Sequence, residues 1–72
     1  MNNLNVAKIQ LNGDPYEVIN CTNLNELLNK LKLQKNKIAI EVNGEIIEKS
    51  KYPNLILRRD DKVEIVHFIG GG

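Results

Sequence analysis

A chain of 72 residues has room for one domain, and a domain of that size buries only about 60% of the surface its unfolded chain exposes, which argues against a deep pocket of several catalytic side chains. The hydrophobic fraction of 42% and charged fraction of 26% are ordinary for a globular domain. Ten Lys+Arg against nine Asp+Glu leave a net charge of +1, without the clustered basic charge that binding to nucleic acid or anionic lipid requires.

One cysteine, Cys21, excludes an intramolecular disulfide and a closed thiolate metal site, which suits a reducing compartment. No apolar run approaches the roughly 20 residues that cross a bilayer. The polar start Met1-Asn2-Asn3-Leu4-Asn5 lacks the basic and apolar regions of a secretion signal. The expected location is the cytoplasm, with no membrane and no nucleic-acid partner.

The first element predicted is a strand over Val6 to Leu11, because Ala7, Ile9 and Leu11 alternate with Lys8 and Gln10. Asn12-Gly13 is a hairpin signal, since both residues tolerate positive φ. The returning strand runs from Tyr16 to Ile19, with Tyr16 and Val18 on one face and Pro15 suited to a first or edge position. Asn23 and Glu26 form a capping-box pattern ahead of a helix of about ten residues. Leu24, Leu27, Leu28 and Leu31 make its apolar stripe, which only the sheet can cover. A second alternating strand, Ile38 to Val42, meets a second hairpin signal at Asn43-Gly44 and returns as Glu45 to Glu48. Lys49 to Arg59 is mixed, with a turn at Tyr52-Pro53 and an apolar anchor at Leu55-Ile56-Leu57. Asp60-Asp61 makes a tight turn before the last strand, Lys62 to Ile69. The order is that of a two-layer α+β domain, one helix against a mixed sheet of four to five strands. A ferredoxin-like arrangement would need a second helix, and no second leucine stripe is present.

The last strand is apolar on both parities, Val63 and Ile65 against Val66 and Phe68. One set can therefore lie on an open face: Val66 and Phe68 would form an apolar patch beside the chain end, the alternative being burial beneath Lys49 to Arg59. Residues 1–69 read as the domain and 70–72 as a tail. Gly70, Gly71 and Gly72 have no side chain to pack and no preferred backbone conformation. Extended, they reach about 10 Å. Such a thread can carry a carboxylate through a narrow channel into another protein's active site; the ordinary alternative is a frayed terminus.

Asp60-Asp61-Lys62-Val63-Glu64-Ile65-Val66-His67-Phe68-Ile69-Gly70-Gly71-Gly72 resembles the C-terminus of the thiamine-pathway sulfur carrier family, ThiS. Ile9-Gln10-Leu11-Asn12-Gly13, Asn23-Leu24-Asn25-Glu26-Leu27-Leu28 and Ile40-Glu41-Val42-Asn43-Gly44-Glu45-Ile46-Ile47 resemble it too, in order along nearly the whole chain. The resemblance implies a ubiquitin-like β-grasp, with first and last strands parallel neighbours at the sheet's centre. It implies a sulfur carrier rather than an enzyme, with no bound cofactor. Gly72 would be adenylated by an E1-like enzyme (ThiF) that uses ATP. Sulfur from a cysteine desulfurase would make it a thiocarboxylate, for delivery to thiazole synthase (ThiG). Gly71 and Gly72 match the family's terminal pair, and Gly70 is an additional glycine. Residues 1–5 suggest no role.

Val66, Phe68 and Ile69 are the expected docking residues, with Arg58 and Arg59 either a polar rim or solvated surface. His67 reads as an ordinary strand position, Cys21 as a small residue ahead of the helix rather than a persulfide carrier, and Asp60-Asp61 as a turn rather than paired catalytic carboxylates. No metal site is expected. Within the same chemistry the alternative is a MoaD-like small subunit of molybdopterin synthase. Outside it stand a ubiquitin-like modifier joined to target lysines through Gly72, and an interaction module whose glycines do nothing.

Overall fold

The computed structural model describes residues 5–68. Met1 to Leu4, Ile69 and the glycines Gly70 to Gly72 lie outside the described residues. Strand β1 (Val6–Leu11) pairs antiparallel with β2 (Asp14–Ile19), and β3 (Ile38–Val42) pairs antiparallel with the short β4 (Glu45–Ile46). Strand β5 (Lys62–His67) joins the two ribbons in the sheet order β2-β1-β5-β3-β4. It is parallel to β1 through Gln10↔Lys62 and Leu11↔Val63, and antiparallel to β3 from Ile38↔His67 to Val42↔Val63. The first and last strands are thus parallel neighbours, with β5 at the centre, as in a β-grasp.

Both hairpin turns have φ > 0 at their two central residues: Asn12 51° and Gly13 87°, Asn43 52° and Gly44 89°. This is the twist-matched geometry that Asn-Gly favours. Both asparagines also hold β5. The Ile65 N–H donates to Asn12 Oδ1 at 2.8 Å, and the Lys62 N–H donates to Asn43 Oδ1 at 2.9 Å. Beyond the end of β1, the Asn12 N–H donates to the Val63 carbonyl at 2.9 Å. The two Asn12 bonds prolong a parallel ladder of only two registered pairs, and the Asn43 bond extends the antiparallel side.

Helix α1 (Leu24–Leu31) starts on the expected capping box. The Glu26 N–H donates to Asn23 Oδ1 at 2.8 Å and the Asn23 N–H to Glu26 Oε1 at 3.0 Å. It is eight residues long rather than about ten, because Lys32 adopts a left-handed conformation (φ 60°) and turns the chain. Leu24, Leu27 and Leu28 are buried against Ile9, Val18, Ile38, Ile40 and Val63, with Leu31 at the margin.

Several boundaries differ from the sequence reading. β2 begins at Asp14, and Pro15 sits second in it, opposite Gln10. An edge strand tolerates the missing donor. β4 stops at Ile46 rather than Glu48, and β5 is regular only to His67, where its ladder with Ile38 ends. The stretch read as mixed contains a 3₁₀ helix, Lys49–Asn54, which turns Tyr52 wholly into the core. The apolar anchor holds through Leu57, which is buried. Its N–H donates to the Thr22 carbonyl at 2.8 Å, tying this segment to the residues ahead of α1.

Candidate docking face at the end of the central strand

The helix and the 3₁₀ segment cover one face of the sheet. The other face gathers side chains from three strands, because residues paired across strands point the same way. Ala39 is paired with Val66, Glu41 with Glu64 and with Ile46. Val66 is 58% exposed, Phe68 60% and Ile46 76%. Together with half-buried Ala39 they form an apolar strip with a shallow depression between Ala39, Glu41, Ile46 and Val66. The strip runs along β5 to Phe68, the last described residue before the tail. It is bordered by the acidic pair Glu41 and Glu64 on one side. On the other, Lys49 Nζ lies 5.5 Å from the centroid of the Phe68 ring. Exposed apolar area with a charged border is what a protein interface requires.

The predicted site residues do not all meet here. Val66 and Phe68 share the open face, while Ile69 and Gly70 to Gly72 lie outside the described residues. Arg58 and Arg59 are not a rim for this strip. They precede β5, and from Lys62 to Phe68 the strand spans six residue steps, about 20 Å. They line a separate groove with Val6, Ala7, Asn20, Cys21, Ile56 and Leu57. An extended strand carries its two ends apart. The lysines at the Phe68 end are Lys37, whose carbonyl accepts the Phe68 N–H at 3.0 Å, and Lys49.

The remaining candidates fall into place locally. His67 is an exposed strand residue opposite Ile38. Cys21 is exposed and adopts φ 70°, at the bend ahead of the N-cap. Asp61 closes the turn before β5: its Oδ2 accepts the Arg58 N–H at 2.8 Å and its Oδ1 accepts from Asn43 Nδ2 at 3.0 Å. Asp60 lies 3.9 Å from Arg59 Nε with both side chains exposed, an ion pair that contributes little. Among the described residues, no three His, Cys, Asp or Glu side chains gather as a metal would require.

Sequence reasoning missed Ala39, Ile46 and Lys49. The first two were open to discovery, since the alternation that buries Ile38, Ile40 and Val42 leaves Ala39 and Glu41 on the other face. The tight Asn43-Gly44 turn then places Ile46 beside Glu41. Nothing in the local pattern around Lys49 marks it.

Comparison with known proteins agrees with the fold. The model of the ThiS family matches residues 9–72, a span that includes the glycine tail. The sulfur carrier protein ThiS of Bacillus subtilis is 38% identical over 65 residues, covering 89% of this chain and 98% of that one. The crystal structure of a thiamine biosynthesis protein (ThiS) from Geobacter metallireducens superposes with a TM-score of 0.78 at 34% identity, over 90% of this chain and 99% of that one. A thiazole synthase of Magnetococcus marinus is 42% identical over 65 residues, 90% of this chain. The chain spans only 20% of that relative's length.

Proposed function

The chain belongs to the ThiS family, and from that premise we propose that it carries sulfur as a thiocarboxylate on Gly72. Membership makes it a sulfur carrier of thiamine biosynthesis. It contributes a chain end rather than catalytic side chains, so it acts as a protein co-substrate and binds no cofactor of its own. A carboxylate is a poor electrophile. An adenylating partner of the ThiF kind would let the Gly72 carboxylate attack the α-phosphorus of ATP, releasing pyrophosphate and leaving an acyl adenylate. The terminal sulfur of a cysteine desulfurase's persulfide would then attack the acyl carbon and expel AMP, giving an acyl disulfide. A thiol reductant would cleave its S–S bond, leaving the thiocarboxylate and taking up the oxidation as a disulfide. The sulfur stays nucleophilic and tethered until a thiazole synthase takes it. Gly70 to Gly72 suit that passage because a side chain would widen the thread and restrict its dihedrals.

The observation that carries this reading is the family match running through the three glycines. The thiazole synthase relatives, which contain a region similar to this chain, favour thiazole formation over molybdopterin synthesis. Val66 and Phe68, joined by Ala39 and Ile46, form the surface we assign to docking on the adenylating partner. The same reading expects the carrier in the cytoplasm, together with these proposed partners. Among the described residues no helix is long and apolar enough to cross a membrane.

The test is intact mass after incubation with a ThiF-like adenylating enzyme, ATP, a cysteine desulfurase, cysteine and a thiol. Oxygen replaced by sulfur adds about 16 Da, and the gain disappears when Gly72 is removed. No gain with an enzyme that thiocarboxylates its own known carrier overturns the proposal. Val66→Asp slows the gain while the melting temperature holds, if the open face docks. Delivery to a molybdopterin synthase large subunit, or conjugates on target lysines, would identify the other two uses of the same activated end.

A further inference from the structure

The ladder of β5 ends at the pair Ile38↔His67, and Phe68 is held beyond it by two contacts. Its N–H donates to the Lys37 carbonyl at 3.0 Å. Its ring, 60% exposed on the open face, lies 5.5 Å from Lys49 Nζ. The same ammonium donates to the Ile38 carbonyl at 2.9 Å in a part-buried position. Lys49 opens the 3₁₀ helix whose Tyr52 is wholly buried, so its own backbone is anchored to the core. Among the described residues no carboxylate oxygen lies within 4.0 Å of it; Arg59–Asp60 is the one ion pair. Lys49 therefore spends its charge on a strand carbonyl and an aromatic face rather than on an acid.

An exposed phenylalanine past the end of a ladder would ordinarily sample its rotamers, and the backbone beyond it would turn with it. A cation over the ring favours one arrangement. We propose that Lys49 is a positioning residue for acyl activation: by seating the Phe68 ring beside β3 it sets the direction in which the chain leaves the sheet. This rests on the reading of Gly72 as the activated end. Fixing that direction in the free carrier removes part of the ordering cost of entering a partner's channel. The benefit falls on capture of the tail, because once Gly72 is seated in the partner's site the reacting atoms are aligned by the partner.

The experiment compares the full chain with Lys49→Met, which keeps the stem and removes the cation, and Lys49→Arg, which keeps charge, donor and stacking. Pyrophosphate release by the adenylating enzyme, with carrier as the varied substrate, gives KM and kcat separately. Lys49→Met raises KM for the carrier about tenfold with kcat within about twofold, and Lys49→Arg returns KM to within about threefold. In the free carrier, ¹⁵N relaxation gives the Phe68 amide a rigid-backbone order parameter near about 0.85, falling toward about 0.6 in Lys49→Met and restored in Lys49→Arg. An unchanged Phe68 order parameter in Lys49→Met overturns the proposal, as does a KM rise that Lys49→Arg fails to reverse. If the unaltered carrier releases no pyrophosphate, the Gly72 reading fails, while the relaxation data still decide whether Lys49 seats Phe68.

Discussion

At the scale of single residues, aromatic rings and asparagines mark the positions that matter. Two Tyr and one Phe are the chain's aromatic residues, and each has a lysine ammonium over its ring: Lys30 on Tyr16 at 5.2 Å, Lys35 on Tyr52 at 5.7 Å and Lys49 on Phe68 at 5.5 Å. Tyr52 is the most enclosed of the three, and its hydroxyl has no hydrogen bond of regular geometry. Burial pushes its phenol above the ordinary value of 10.0, and the nearby Ile40 backbone offsets this in part. The geometry weighs against counting that backbone contact as a full bond, so burial dominates. The folded chain then keeps the phenolic proton to higher pH than the unfolded chain does. That contribution to stability is complete below about pH 10 and is lost as pH rises through the folded value. Tyr52→Phe removes both the unpaired hydroxyl and the titration. Expected is a stability equal to or about 1 kcal/mol above the parent near neutrality. Above about pH 10 the melting temperature of Tyr52→Phe falls less steeply than the parent's, which thermal melts across that range would check.

At the scale of elements, local chemistry explains most of what the sequence made legible. Asn12-Gly13 and Asn43-Gly44 announce two-residue hairpins because few other dipeptides accept φ > 0 twice, and both turns form so. The Asn23–Glu26 box fixes where α1 starts, and the leucine stripe fixes which side it buries. Its end was not legible, since Lys32 supplies a left-handed cap (φ 60°) where glycine would have given the signal. The 3₁₀ helix Lys49–Asn54 was hidden for a related reason: six residues containing a proline show no helical period, so the full burial of Tyr52 could not be seen. Strand order is non-local and came from family likeness rather than from any strand's pattern. The two caps make opposite predictions. Asn23→Ala removes a bonded N-cap and costs about 1 kcal/mol. Lys32→Gly relieves the left-handed side chain and adds about 0.5–1 kcal/mol. Urea denaturation of both variants measures each, with unchanged slopes as the sign that only stability moved.

At the scale of the whole molecule, the candidate site was legible in part: the two apolar parities of the last strand singled out Val66 and Phe68 as one of two possible outward pairs, whereas their exposure, and the distance separating Arg58 and Arg59 from them, required the sheet. Deleting Gly71 and Gly72 is expected to move the melting temperature by no more than about 2 °C, well under the shift that about 1 kcal/mol would cause in a domain this small. The same deletion abolishes the sulfur mass gain. A chain ended at Asp61 is expected to show no cooperative melt, because β1–β2 and β3–β4 share no registered pair and only β5 stitches them. Circular dichroism melts of the two truncations would separate these outcomes. The position of that stitch delays closure of the described sheet until its last strand is made. Synthesis reaches Lys62–His67 after every other described strand, so a product released before it has two ribbons with no strand to pair them.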